Sequence, residues 1–111
     1  MDKKNDLSAW MGKRIQKLRL EAGFSQNAFA RELGVARMTL VNIENGIQTI
    51  TNWILFNAAV LIGVHVSEFF PAQDKNGNFI TQGEYKDLSE QYPEDYPIIE
   101  FKIEKNSLEL I

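Results

Sequence analysis

Residues 25–46 read SQNAFARELGVARMTLVNIENG, two short apolar-periodic runs separated by one glycine and closed by another. In the first run Ser25 is a good N-cap. Ala28 or Phe29, then Ala30 and Leu33, fall on one helical face before Gly34 stops it. In the second run Leu40 and Ile43 turn inward, and Asn45-Gly46 is a natural left-handed stop. The residues on the other side of that run, beginning with Arg37, have no core to face.

The flanks carry the same period. Ile15, Leu18 and Ala22 share one face of a preceding helix, which Trp10 or Met11 extends toward the N-terminus and Gly23 ends. Downstream, Thr51 caps a fourth helix with Leu55, Ala58, Ala59 and Ile62 as its buried stripe and Gly63 as its end. The run VSEFF adds a last turn that carries Val66, Phe69 and Phe70. Five short helices predict a compact all-α unit over residues 8–70. At Phe70-Pro71 the period stops. Residues 71–97 hold all three prolines and many polar residues, so mostly loop is expected there. Asn76-Gly77 signals a turn, and NFIT at 78–81 is a candidate short strand. From Ile98 the run IIEFKIE alternates Ile99, Phe101 and Ile103 with Glu100, Lys102 and Glu104, the pattern of a half-buried strand. A lone hairpin is marginal in water, so this strand needs LELI, NFIT or a second subunit beside it. The expected fold class is mainly α, with an acidic, β-containing extension over residues 71–111.

Composition narrows the function. The chain has 111 residues, 44% of them apolar, which fits one domain or a small domain with an appendage. It has no cysteine, which excludes disulfides and thiolate metal sites. No signal-peptide core opens it, and AAVLIGV at 58–64 is too short to span a bilayer, so a cytoplasmic protein with no membrane partner is expected. The net charge of −3 divides unevenly. Residues 1–70 carry eight Lys/Arg against six Asp/Glu, and residues 71–111 carry four against nine, giving +2 and −5. A basic face on the helical part is thereby permitted. His65 is the sole histidine and suits a loop or capping role. Glu94 and Asp95, with Glu90 nearby, read as solvated charge. No phosphate-binding glycine loop, metal-ligand spacing or nucleophile–base pair is present, so neither an enzyme nor a cofactor is expected.

A helix, a short glycine-containing turn and a second helix make a helix-turn-helix, whose second helix enters the DNA major groove. Arg37, Thr39 and Asn42 stand where that helix meets the bases, and Gln26 where the preceding helix crosses the phosphates.

The segments RIQKLRLEAGFSQNAFARELGV, TLVNIENG and AAVLIGVHVSEFF together resemble the Cro/C1-type helix-turn-helix family of phage and bacterial repressors, over about half the chain. The resemblance implies a five-helix lambda-repressor-like domain. It implies that Arg37, Met38, Val41 and Asn42 read bases, that Gln26, Thr39 and Asn45 contact phosphates, and that Arg19 and Glu44 form a structural ion pair. Two departures stand out. Met38 and Val41 replace residues that are often polar, and the connection IQTITNW contains no basic residue. Arg37 suits guanine, Asn42 adenine, and the two apolar residues thymine methyl groups. The expected function is a transcriptional regulator, a repressor on a palindromic operator as a homodimer. The alternative is an antitoxin-like module whose extension docks a protein partner. Trp53, Phe56 and Val60 form a second apolar face on the fourth helix, to be covered either by the extension, with Ile99, Phe101 and Ile103, or by a dimer partner.

Overall fold

The computed structural model describes residues 3–98. Helix α1 spans Lys3–Glu21, α2 Gln26–Leu33, α3 Arg37–Glu44 and α4 Asn52–Ile62, followed by a 3-10 turn at Val66–Phe69. Local chemistry sets these bounds. The Ser25 and Thr51 hydroxyls accept the Ala28 and Ile54 N–H groups at 3.1 and 3.2 Å. Gly34 ends α2 at φ 74°, where a Cβ would be strained. There the Val35 N–H donates to the Ala30 carbonyl at 3.0 Å, turning the chain sharply into α3. His65 caps the 3-10 turn through its Nδ1, which accepts the Ser67 N–H at 3.2 Å.

The core lies between these helices. Phe29 and Phe69 are fully buried, and Ile15, Leu40 and Ile43 nearly so. Met11 joins them, while Trp10 packs half-buried at the edge. Phe29, rather than Ala28, is the inward residue of α2, and its ring meets that of Phe24 at 5.3 Å. Arg14 straps α1 to the 3-10 turn. Its Nε donates to the Glu68 carbonyl at 3.0 Å and its NH2 group to the Glu68 carboxylate at 2.9 Å.

Two inward assignments need correction. Ala22 is exposed, because α1 ends at Glu21 and the chain has begun to turn toward Gly23. Phe70 is 41% exposed, because the backbone leaves the 3-10 turn extended and Phe69, not Phe70, reaches the core.

The extension departs further from expectation. Where mostly loop is expected over 71–97, a hairpin that includes the NFIT candidate leads into a fifth α-helix. β1 (Ala72–Gln73) pairs antiparallel with β2 (Phe79–Ile80), matching Ala72 to Ile80 and Gln73 to Phe79. α5 then spans Gln82–Gln91. Its start is a full capping box: the Thr81 hydroxyl accepts the Glu84 N–H at 3.0 Å, and the Glu84 carboxylate accepts the Thr81 N–H at 3.2 Å. All three prolines lie outside the helix, and its inward side is small, chiefly Leu88, Ser89 and Tyr85. So weak an apolar period is what hides it. After α5 the chain folds back on the hairpin. The Tyr96 hydroxyl accepts the Lys75 N–H at 3.1 Å, and the Tyr85 hydroxyl donates to the Pro97 carbonyl at 2.7 Å. The strand candidates NFIT and IIEFKIE therefore part company. NFIT pairs with residues 72–73, whereas Ile99, Phe101, Ile103 and LELI lie outside the described residues.

Candidate nucleic-acid interface

Between α2 and α3 the chain takes a three-residue turn, Gly34 to Ala36, and α3 then presents two unlike faces. Leu40, Ile43 and Glu44 are buried against α1 and α2. Arg37, Met38 and Asn45 are exposed, with Val41 and Asn42 half-buried between them and Thr39 at the border. Thus every residue assigned to base reading lies on one side of a single short helix. Ser or Thr caps α2, α4 and α5, but the N-cap of α3 is Ala36, which has no capping oxygen. The first-turn N–H groups of α3 thus have no side-chain acceptor at the cap.

A chain of hydrogen bonds joins this surface to the core. The Arg19 Nε and NH2 groups donate to the two carboxylate oxygens of Glu44 at 2.6 and 3.0 Å. A third donor, Arg19 NH1, reaches the Phe24 carbonyl at 2.7 Å and fixes the turn before α2. Both partners are 3% exposed, so this is a fork-on-fork pair in a dry setting. Glu44 Oε1 also accepts the Gln26 side-chain amide at 3.1 Å. That contact orients the amide, turning its oxygen outward, where Arg37 NH2 donates to it at 3.2 Å. The guanidinium of Arg37 is thereby held beside Gln26 at the front of α3, with further donors left to engage a ligand.

The α1 helix approaches the end of α3 closely enough to exclude a side chain. A Cβ placed on Gly12 would overlap the Ile43 carbonyl oxygen and lie 2.9 Å from that of Glu44. Gly46, at φ 74°, leaves room for Ala9, whose Cα would sit 2.8 Å from an added Cβ. Neither approach follows from periodicity, because both depend on how two helices cross.

Residues 15–69 match the HTH_3 helix-turn-helix family model. Through this domain the chain belongs to the Cro/C1-type helix-turn-helix family. Members are DNA-binding transcription regulators, and this chain is one of them at that level. Comparison with curated proteins gives no match. Among solved structures, the restriction-modification controller protein C.AhdI from Aeromonas hydrophila is similar at 24% identity and a TM-score of 0.53, over 56% of this chain and 94% of that one. An HTH_3 family transcriptional regulator from Vibrio cholerae is similar at 26% identity and a TM-score of 0.55, over 60% of this chain but only 37% of its own length. The SinR protein/SinI protein complex is similar at 22% identity and a TM-score of 0.51, over 90% of this chain and 88% of that one. The helix-turn-helix domain thus accounts for residues 15–69, with α5 and the hairpin outside it.

The second apolar face of α4 is bare among the described residues. Trp53, Phe56 and Val60 are each more than 60% exposed, so residues 71–98 do not cover them. No helix of the described residues is long and apolar enough to cross a membrane.

Proposed function

We propose that this regulator is a repressor that binds a palindromic operator as a homodimer and blocks polymerase by occupying it. The observation that carries the reading is the Arg37-led face of α3, tied through Gln26 to the buried Arg19–Glu44 pair. In this reading Arg37 and Asn42 supply most of the discrimination, with Met38 and Val41 beside them. Gln26, Thr39 and Asn45 contact phosphates and set the register. Dimerisation uses Trp53, Phe56 and Val60, because an exposed apolar face of this kind gains from being covered and a two-fold operator calls for two copies. Repression, as against activation, is carried over from the family by analogy.

The test is fluorescence anisotropy with duplexes from upstream of the gene and a scrambled control, across a salt series. Arg37→Ala is expected to lose about 1–3 kcal/mol on the specific duplex and little on the scrambled one. Affinity should fall quickly with salt, since phosphate contacts release counterions. Failure to bind any duplex at low salt would overturn the proposal. A second reading draws on the exposed acidic side chains of the extension, Glu84, Asp87, Glu90, Glu94 and Asp95. It makes residues 71–111 a dock for a basic protein partner, and deleting them would then remove partner binding while leaving DNA binding in place.

A further inference from the structure

The outer face of α3 mixes two kinds of side chain. Arg37 and Asn42 carry groups that can hydrogen-bond to base edges. Met38 and Val41, three residues apart on the same face, have no donor, and the thioether of Met38 is only a weak acceptor. Met38 is 62% exposed and adjoins Arg37 in the chain. A large apolar side chain held in water at the front of a reading helix gains from being covered. In the major groove, the apolar feature a base edge presents is the C5-methyl group.

We propose that Met38 and Val41 recognise the C5-methyl group itself, at base pairs beside the guanine addressed by Arg37, so that 5-methylcytosine serves there as well as thymine. This inference rests on the reading of α3 as the base-reading helix. Thymine presents an acceptor at its exocyclic position and cytosine a donor. Val41 carries no donor or acceptor and Met38 only a weakly accepting thioether, so neither discriminates strongly between the two, whereas both offer an apolar surface to the methyl group that the two bases share. The spacing fits neighbouring base pairs. Three residues of α-helix advance about 4.5 Å, against about 3.4 Å for one base-pair step. Arg37, restrained by its 3.2 Å bond to Gln26, sets the register from which the two apolar side chains reach outward. Cytosine methylation at such a position becomes an affinity signal.

The experiment starts from the duplex that the full chain selects out of a random pool. Each thymine is replaced in turn by uracil, which removes only the methyl group and keeps the adenine partner. C:G variants at the same positions are then compared with and without 5-methylation. Removing the methyl group is expected to weaken binding about fourfold at one or two positions, the worth of one buried methyl. Methylating cytosine at those positions should restore about the same factor. Met38→Ala, at an exposed site, should erase the discrimination at one of these positions and Val41→Ala at the other. Equal binding of thymine and uracil duplexes at every position, while Arg37→Ala still weakens the selected duplex, would overturn this inference alone. A methyl effect that survives both alanine variants would overturn it too. A pool that yields no preferred duplex would remove base reading by α3, and this inference with it.

Discussion

Replacing Gly12 with alanine tests whether α1 and the end of α3 are as closely seated as the structure has them. Two effects oppose each other. Alanine is favoured over glycine inside a helix by about 1 kcal/mol, and Gly12 lies well within α1. Against that, the new Cβ would overlap the Ile43 carbonyl oxygen and meet the Glu44 carbonyl oxygen and carbon at 2.9 and 3.1 Å. These are backbone atoms in a hydrogen-bonded helix end and cannot swing aside as a flexible side chain would. Relief requires α1 to back away from α3, loosening Met11 and Ile15 in the core. Overpacking of this kind costs roughly 1–3 kcal/mol, and rigid neighbours put this case at the upper end. The expected net loss is about 2 kcal/mol, which corresponds to about 8–16 °C in melting temperature for a domain of this size. Gly83→Ala is the matched control. It lies in α5, and an added Cβ would find only the Thr81 hydroxyl, at 3.9 Å, so a small gain is expected. Thermal and urea melts followed by circular dichroism read both variants. A Gly12→Ala protein as stable as Gly83→Ala would refute the close seating of α1 on α3.

Glu44→Ala should destabilise the fold by about 3–5 kcal/mol, because it leaves the Arg19 guanidinium buried without its carboxylate; urea unfolding measures this, and a loss under 1 kcal/mol would contradict the pairing. The proposed pairing of two copies through α4 makes Phe56→Glu, at a site 61% exposed, a monomer by sedimentation with its helical content intact; a wild type and variant of equal mass would contradict that interface. Asp74 has its pKa lowered, chiefly by the Asn78 N–H and further by the Asn76 N–H and the Asn78 side-chain amide. Its folded value thus lies below its unfolded one, so the contribution to the 74–78 turn is present above the ordinary carboxylate range, about 3.9, and is lost as pH falls through the folded value. Amide exchange at Asn76 and Asn78 should rise over that window in the wild type and show no such step in Asp74→Asn.

What could be read from the sequence is what local chemistry determines. Ser25 and Thr51 cap helices because a hydroxyl two or three residues from an orphan N–H is a short-range event, and Gly34 and Gly63 stop them because a left-handed residue is a property of one position. The signal for α5 was equally local: Thr81 followed three residues later by Glu84 is a capping-box pattern. The flanking prolines and the small apolar surface of the helix obscure it. Gly12 and the Arg14–Glu68 strap had no such signal. One depends on a helix crossing, and the other joins residues 54 apart in the chain. For α4, periodicity places the buried stripe but does not tell what covers the second apolar face. Packing selected Leu55, Ala58 and Ala59 and left Trp53, Phe56 and Val60 in solvent.

The candidate site combines both kinds of information. Each of Arg19, Gln26, Arg37 and Glu44 sits where its own helix's local signals put it, yet their bonding runs across three helices. Glu44 therefore has a place in two settings at once. One carboxylate oxygen is committed to Arg19, while the other is shared between Arg19 and the Gln26 amide that faces Arg37. Because that sharing turns the Gln26 oxygen outward, a change at the buried pair alters the acceptor presented to Arg37 even where the helices stay folded. Substitutions at the buried pair and on the outer face of α3 are accordingly expected to be non-additive here, as is usual for residues in one hydrogen-bonded network.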